Sequence, residues 1–180
     1  MARLLYAILL GLVGAGIVHI AILFLLPVYT NQDAWVQLSK AADLNEVVLV
    51  GQGHAESRAV GAGNPLLEKA ACRFDLSRGV VHVHGDGTVP FWSMSLYDRT
   101  GLNIFSFNDR TAPDGLLDFL VLTPDQMLRM RKDLPQEFQN AIFIEADVVE
   151  AILVVRAFVP DATWRPQVTA FLKGIVCEQR

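Results

Sequence analysis

The chain has 180 residues, a formal net charge of −4 and a hydrophobic share of 52%. No basic stripe runs through it, which excludes nucleic acid as an expected partner, and the acidic excess argues against a clamp on anionic lipid heads. Its two cysteines form no C-x-x-C, which excludes a thioredoxin-like or zinc-ribbon site.

Leu4–Leu26 is a run of 23 residues without formal charge. A helix rising ~1.5 Å per residue needs about 20 apolar residues to cross the hydrocarbon of a bilayer. A secretory signal has a shorter apolar core followed by small residues at a cleavage site. Here the run ends Leu25-Leu26-Pro27-Val28-Tyr29, with bulky residues in those places, and Tyr6 and Tyr29 flank it as interfacial rings do. The expectation is an uncleaved anchor over residues 1–30 in a bacterial inner membrane, followed by one domain over 31–180. Arg3 and the amino terminus are the positive charges before the span, and the next Lys or Arg after it is Lys40. The positive-inside rule then places the N-terminus in the cytoplasm and the domain in the periplasm.

After Pro27 the sequence predicts an extended stretch and then a helix near Asp33–Ala42, with Trp35, Val36 and Leu38 apolar. Val47–Val50 reads as a buried strand. Gly51–Gly63, with four glycines among polar residues, reads as a loop. Asn64-Pro65 offers a cap and a first helical residue for a short helix to Cys72. From Arg73 to Phe107 the character is β. Gly79–His84 and Thr88–Tyr97, joined through Gly85-Asp86-Gly87, predict a hairpin. In its second run Trp92, Met94 and Leu96 share one face, opposite Phe91, Ser93, Ser95 and Tyr97.

Further strands are expected at Asn103–Asn108 and Phe119–Leu122. Thr123-Pro124-Asp125-Gln126 then opens a helix with a Thr cap, Pro at its first position and Gln at the capping-box position, ending near Leu134-Pro135. Ala141–Glu145 and Val148–Val159 read as strands. A last helix from about Thr163 aligns Trp164, Val168, Phe171, Leu172, Ile175 and Val176 in one stripe suited to covering a sheet. This pattern predicts a mainly β, α+β domain: an antiparallel sandwich with peripheral helices.

His82 and His84 are two apart on a strand, so both rings project from one face and form a pair of metal ligands, to which Asp86 or His54 would add a third. The same spacing also fits a solvent-facing strand that buries Val81 and Val83. Gly51-Gln52-Gly53 fails the dinucleotide fingerprint, with Glu56 in place of the third glycine, and no P-loop lysine follows. Ser57 and Ser93 lie in no G-x-S-x-G elbow. No cofactor or catalytic residue is therefore assigned. Arg156 shares a strand face with Glu150, Ile152 and Val154, and a partly buried ion pair with Glu150 or Asp98 is expected. Phe91, Trp92, Tyr97, Asp98 and Arg156 are the ligand-binding candidates, although aromatics such as Phe91, Trp92 and Trp164 are more often core. Cys72 and Cys177 either pair, closing a loop worth roughly 4–5 kcal/mol in the chain-entropy model, or remain buried thiols.

The run Val89-Pro90-Phe91-Trp92-Ser93-Met94-Ser95-Leu96-Tyr97-Asp98 resembles the bacterial domain-of-unknown-function families 1254 and 1214, the first more than the second. Asn103–Asn108 and Leu153–Pro160 fit the same pattern. The resemblance implies a β-rich fold and an envelope location, and it brings no catalytic motif. A companion envelope protein holding the other domain would be a natural partner. The expected function is a binding or assembly module facing the periplasm and not an enzyme. The alternative is a metal-dependent envelope enzyme using His82 and His84.

Overall fold

Among the described residues, alternating apolar residues on nine strands build two sheets that share one core. The computed structural model describes residues 1–30, 33–50, 64 and 66–180. It opens with α1 (Ala2–Thr30) and α2 (Asp33–Ala41). Within α1, Ala2–Leu25 is long and apolar enough to cross a membrane, and none of that stretch is buried against the rest of the chain.

The first sheet contains β1 (Val47–Val50), β2 (Leu67–Asp75), β4 (Trp92–Asp98), β5 (Asn103–Asn108) and β8 (Glu150–Phe158), in the order β1-β2-β8-β4-β5, with every pairing antiparallel. The second contains β3 (Val81–Gly85), β6 (Leu117–Leu122), β7 (Ile142–Glu145) and β9 (Val176–Gln179), in the order β7-β6-β3-β9. Only β6 and β7 run parallel. Strand alternation sends Trp92, Met94 and Leu96 of β4, and Ala151, Leu153, Val155 and Ala157 of β8, into a core shared with Val81, Val83, Phe119 and Val121 of the second sheet. The domain is α+β, as the sequence pattern predicts.

Two helices finish the fold. Thr123 caps α3 (Pro124–Met130) with the full capping box: its side chain accepts from the Gln126 N–H, and Gln126 accepts from the Thr123 N–H. The helix α4 (Arg165–Lys173) contacts β1, β2 and β8 and adds Val168, Phe171 and Leu172 to the core. Cys72 on β2 and Cys177 on β9 both face that core and form a disulfide, with Cα atoms 6.6 Å apart.

Four expectations are corrected. The stretch predicted as a short helix to Cys72 is strand β2. Its Leu-Glu-Lys-Ala-Ala run has good helix propensity, but pairing with β1 and β8 buries Ala70, Cys72 and Phe74, and that tertiary gain wins. The predicted hairpin does not form, because β3 and β4 lie in different sheets. Their apolar faces meet across the core, and Pro90 in the connection cannot donate to a ladder. The helix expected to reach Leu134 stops at Met130. The last helix stops at Lys173, where Gly174 ends it, and Val176 starts β9 instead of continuing the stripe.

Candidate functional site

Helix α2 lies on the outer face of the first sheet, where Trp35 and Leu38 pack with Val50, Ala71 and Ile152. A cleft of about 250 Å³ remains beside this contact. Leu38, Val50, Ala71, Ile152 and Val154 make its apolar wall, and Lys69, Tyr97 and Arg156 bring the polar groups. Strand register explains the grouping. Lys69 on β2 stands directly opposite Arg156 on β8, on the sheet face that carries Tyr97.

Arg156 is held by neutral groups. Its Nη1 donates to Ser95 Oγ at 2.9 Å and its Nη2 to Tyr97 Oη at 2.8 Å. Ser106 Oγ donates in turn to Ser95 Oγ at 3.0 Å. Among the described residues, no carboxylate lies within ion-pair distance of Arg156 or Lys69. Burial alone would push the Tyr97 phenol up, but hydrogen bonds with Arg156 and Ser95 and the Arg156 charge outweigh it and hold the phenol below its ordinary range. The cleft therefore combines one fixed guanidinium, the Lys69 ammonium, one polarised phenol and apolar walls. That chemistry suits an anion carrying a hydrocarbon body.

The expected ion pair of Arg156 does not form. Glu150 bonds Arg99 instead, and Asp98 faces its own turn, accepting from Thr100 N, Thr100 Oγ1 and Leu102 N at 2.7–2.9 Å. Asp98 prefers this place because a short carboxylate satisfies successive backbone donors two to four residues ahead. Trp92 is 2% exposed in the core, donates to Gly115 O and does not line the cleft. Phe91 precedes β4 and its carbonyl accepts from Phe158 N; its side chain does not line the cleft. Of the five ligand candidates, the structure brings together Tyr97 and Arg156.

A second cluster lies on the outer face of the other sheet. His82 is opposite Glu178 in the β3–β9 register, and His84 is opposite Asp118 in the β3–β6 register. His82 Nε2 meets Asp118 Oδ1 at 2.8 Å, while His82 Nδ1 and His84 Nε2 lie 3.7 and 3.6 Å from Glu178 Oε1. Gly79, with φ at 148°, lets the chain end pack against the start of β3: a Cβ there would stand 2.3 Å from Arg180 O. Burial pushes the Glu178 carboxyl up, but the hydrogen bond and charge of Arg180 outweigh it, holding it below the ordinary carboxylate range. Asp86 is exposed beyond β3 and outside this cluster. His54 lies outside the described residues.

Sequence reasoning missed Lys69, Asp118 and Glu178. Lys69 was hidden by the helical reading of its segment, and Glu178 by the stripe that carried the last helix past Gly174. The signal for Glu178 was Gly174 itself, followed by Ile-Val-Cys, a stop and a new β-branched run.

Among solved structures, the chain is similar to the VPA0106 protein from Vibrio parahaemolyticus, with a TM-score of 0.58 and 13% identity over 85% of this chain and 34% of that one. It is also similar to an uncharacterized protein from Burkholderia cenocepacia, with a TM-score of 0.46 and 20% identity over 71% of this chain and 34% of that one. The chain thus spans about a third of the length of each structure it matches, and the Vibrio likeness is one of fold. No curated protein matches it in sequence. The family model described as protein of unknown function (DUF1254) matches residues 44–179, from the turn before β1 to the last residue of β9, and the chain belongs to that family.

Proposed function

We propose that this chain is a single-pass, membrane-anchored binding module that holds a small organic anion with an apolar body in the cleft between α2 and the first sheet. The observation that carries the reading is the opposition of Lys69 and Arg156 against apolar walls, with neutral partners only for Arg156 among the described residues. Like charges directly opposite on a sheet destabilise it, and an anion between them relieves the repulsion while forming charge-assisted hydrogen bonds. Ser95 and Tyr97 fix the guanidinium in advance, so little ordering cost remains on binding. The anchor reading rests on the length and apolarity of α1 and on the bulky residues that follow it. Arg3 before the span, and no Lys or Arg after it until Lys40, supports an inner-membrane protein with its domain in the periplasm.

The test is calorimetry on the full chain in nanodiscs of neutral lipid, with octanoate, octanol and acetate as probes. Octanoate is expected to bind at least tenfold more tightly than either of the others, and Arg156→Gln to remove that preference. Equal binding of octanoate and octanol, or no octanoate binding, overturns the reading.

A further inference from the structure

We infer that His82, His84 and Glu178 form a binding site for a divalent transition-metal ion, with Asp118 as its positioning residue. The inference does not rest on the cleft. The three side chains can each offer one donor atom, and those atoms lie within 4.8 Å of one another. Ligands of a tetrahedral zinc ion at ~2.0–2.1 Å stand about 3.4 Å from each other. The observed separations of 3.6 and 3.7 Å to Glu178 Oε1 need a closure of a few tenths of an ångström, and the histidine donors, within 4.8 Å of each other, are brought together by rotation of the part-exposed His84 ring.

The chemistry of His82 points the same way. An ionised carboxylate only accepts, so the 2.8 Å contact with Asp118 puts the proton of a neutral ring on Nε2. Nδ1 then presents a lone pair, and it presents it toward the Glu178 carboxylate, which also has only lone pairs to offer. Nδ1 is buried and has no hydrogen-bond partner among the described residues. Two facing lone-pair donors are unfavourable unless a positive charge lies between them. At 3.7 Å the two atoms are too far apart for a good hydrogen bond, whereas a cation shared with His84 satisfies all three donors. The carboxylate–histidine contact is the outer-shell pattern that orients a metal-bound imidazole and raises its basicity.

The surroundings hold the ligands in place. Phe138 packs edge-on to the His82 ring at 5.1 Å, and the two histidine rings lie 4.6 Å apart. His82 is 13% exposed, while His84 and Glu178 are 39% and 34% exposed, so the outer side opens to water. Arg180 donates to Glu178 Oε1 at 2.6 Å, so the ion shares that oxygen with the guanidinium or takes the second oxygen, which no hydrogen bond among the described residues engages. Two imidazoles and a carboxylate form a donor set for zinc, iron(II) or nickel rather than calcium or magnesium. Three protein ligands with an open side leave a coordination position for water.

The test uses the full chain, without an oligohistidine tag, in detergent, stripped by chelator and titrated calorimetrically with Zn²⁺ alone. One equivalent is expected to bind. His84→Ala and Glu178→Gln, both at part-exposed positions that leave the core intact, are each expected to lose at least 100-fold in affinity. Asp118→Asn is expected to lose about 10–100-fold, as outer-shell substitutions do. Co²⁺ in place of zinc is expected to give visible ligand-field bands without thiolate charge transfer. Absence of saturable binding at one equivalent overturns the proposal, as does unchanged affinity in both His84→Ala and Glu178→Gln.

Discussion

Cys72 on β2 and Cys177 on β9 are bonded to each other through the core, so one covalent link ties the first sheet to the second across 105 residues. Closing a loop of that length is worth about 4–5 kcal/mol in the chain-entropy model. Replacing both residues by alanine is expected to lower the unfolding free energy read from urea denaturation by that order while leaving the strand signal in circular dichroism. The oxidised parent should also run faster than the reduced one on a denaturing gel. An unchanged midpoint in the double variant would remove the bond from the stability of the domain.

Trp92→Ala should cost about 3–5 kcal/mol, the range for truncating a large buried aromatic. Trp92 is 2% exposed, packs edge-on to Phe107 at 5.6 Å and donates to Gly115 O. The loss should appear as a large drop in the unfolding midpoint. If the variant instead kept its stability and lost octanoate binding, Trp92 would belong to the ligand site and not to the core.

Tyr97 should ionise earlier than an ordinary tyrosine, because the Arg156 guanidinium and Ser95 outweigh its burial. Absorbance near 295 nm followed through an alkaline titration reads this directly. Arg156→Gln is expected to move the transition upward. The linkage has a definite sign. The folded value lies below the unfolded one, so the phenolate adds stability that is full above ~10 and lost as pH falls through the folded value. A Tyr97 transition at or above that of free tyrosine would contradict the Arg156 geometry.

Asp98→Ala should destabilise the turn between β4 and β5 by about 1–2 kcal/mol, since it removes the acceptor of three hydrogen bonds. Burial pushes the Asp98 carboxyl up, and the bonds from Thr100, Leu102 and Gly101 outweigh it and hold it down. The stabilisation is therefore complete above the ordinary value of ~3.9 and disappears as pH falls through the lowered folded one. Comparing parent and variant midpoints at pH 7 and in acid should show the difference shrinking. A constant difference would place the effect of Asp98 in packing.

What the sequence made legible follows the strength of each local signal. The Thr123–Gln126 box, the apolar alternation of Trp92, Met94 and Leu96, and the long β-branched run of β8 are each local signals complete within a few residues, and each formed where the pattern put it. The segment before Cys72 carries no such period. Its conformation is set by partners far away in the chain, Val47–Val50 and Ala151–Phe158, which local propensity does not register. The candidate sites divide in the same way. His82 and His84 are two apart and could be paired on inspection. Glu178 and Asp118 reach them only through antiparallel registers that no short-range spacing records. Lys69 and Arg156 are 87 positions apart, and their opposition exists only once β2 and β8 have paired.

The sulfur bridge has a consequence for how the molecule would come apart. Cys72 lies on the part of the chain that begins with α1, and Cys177 lies on β9, three residues before Arg180. The turn from Asp109 to Leu116 is largely exposed and carries Arg110, the kind of position where a protease nicks. A single cut there divides the backbone, but the severed C-terminal half stays fastened to the half bearing α1. Its release takes two events in series, hydrolysis of a peptide bond and delivery of electrons to the bridge.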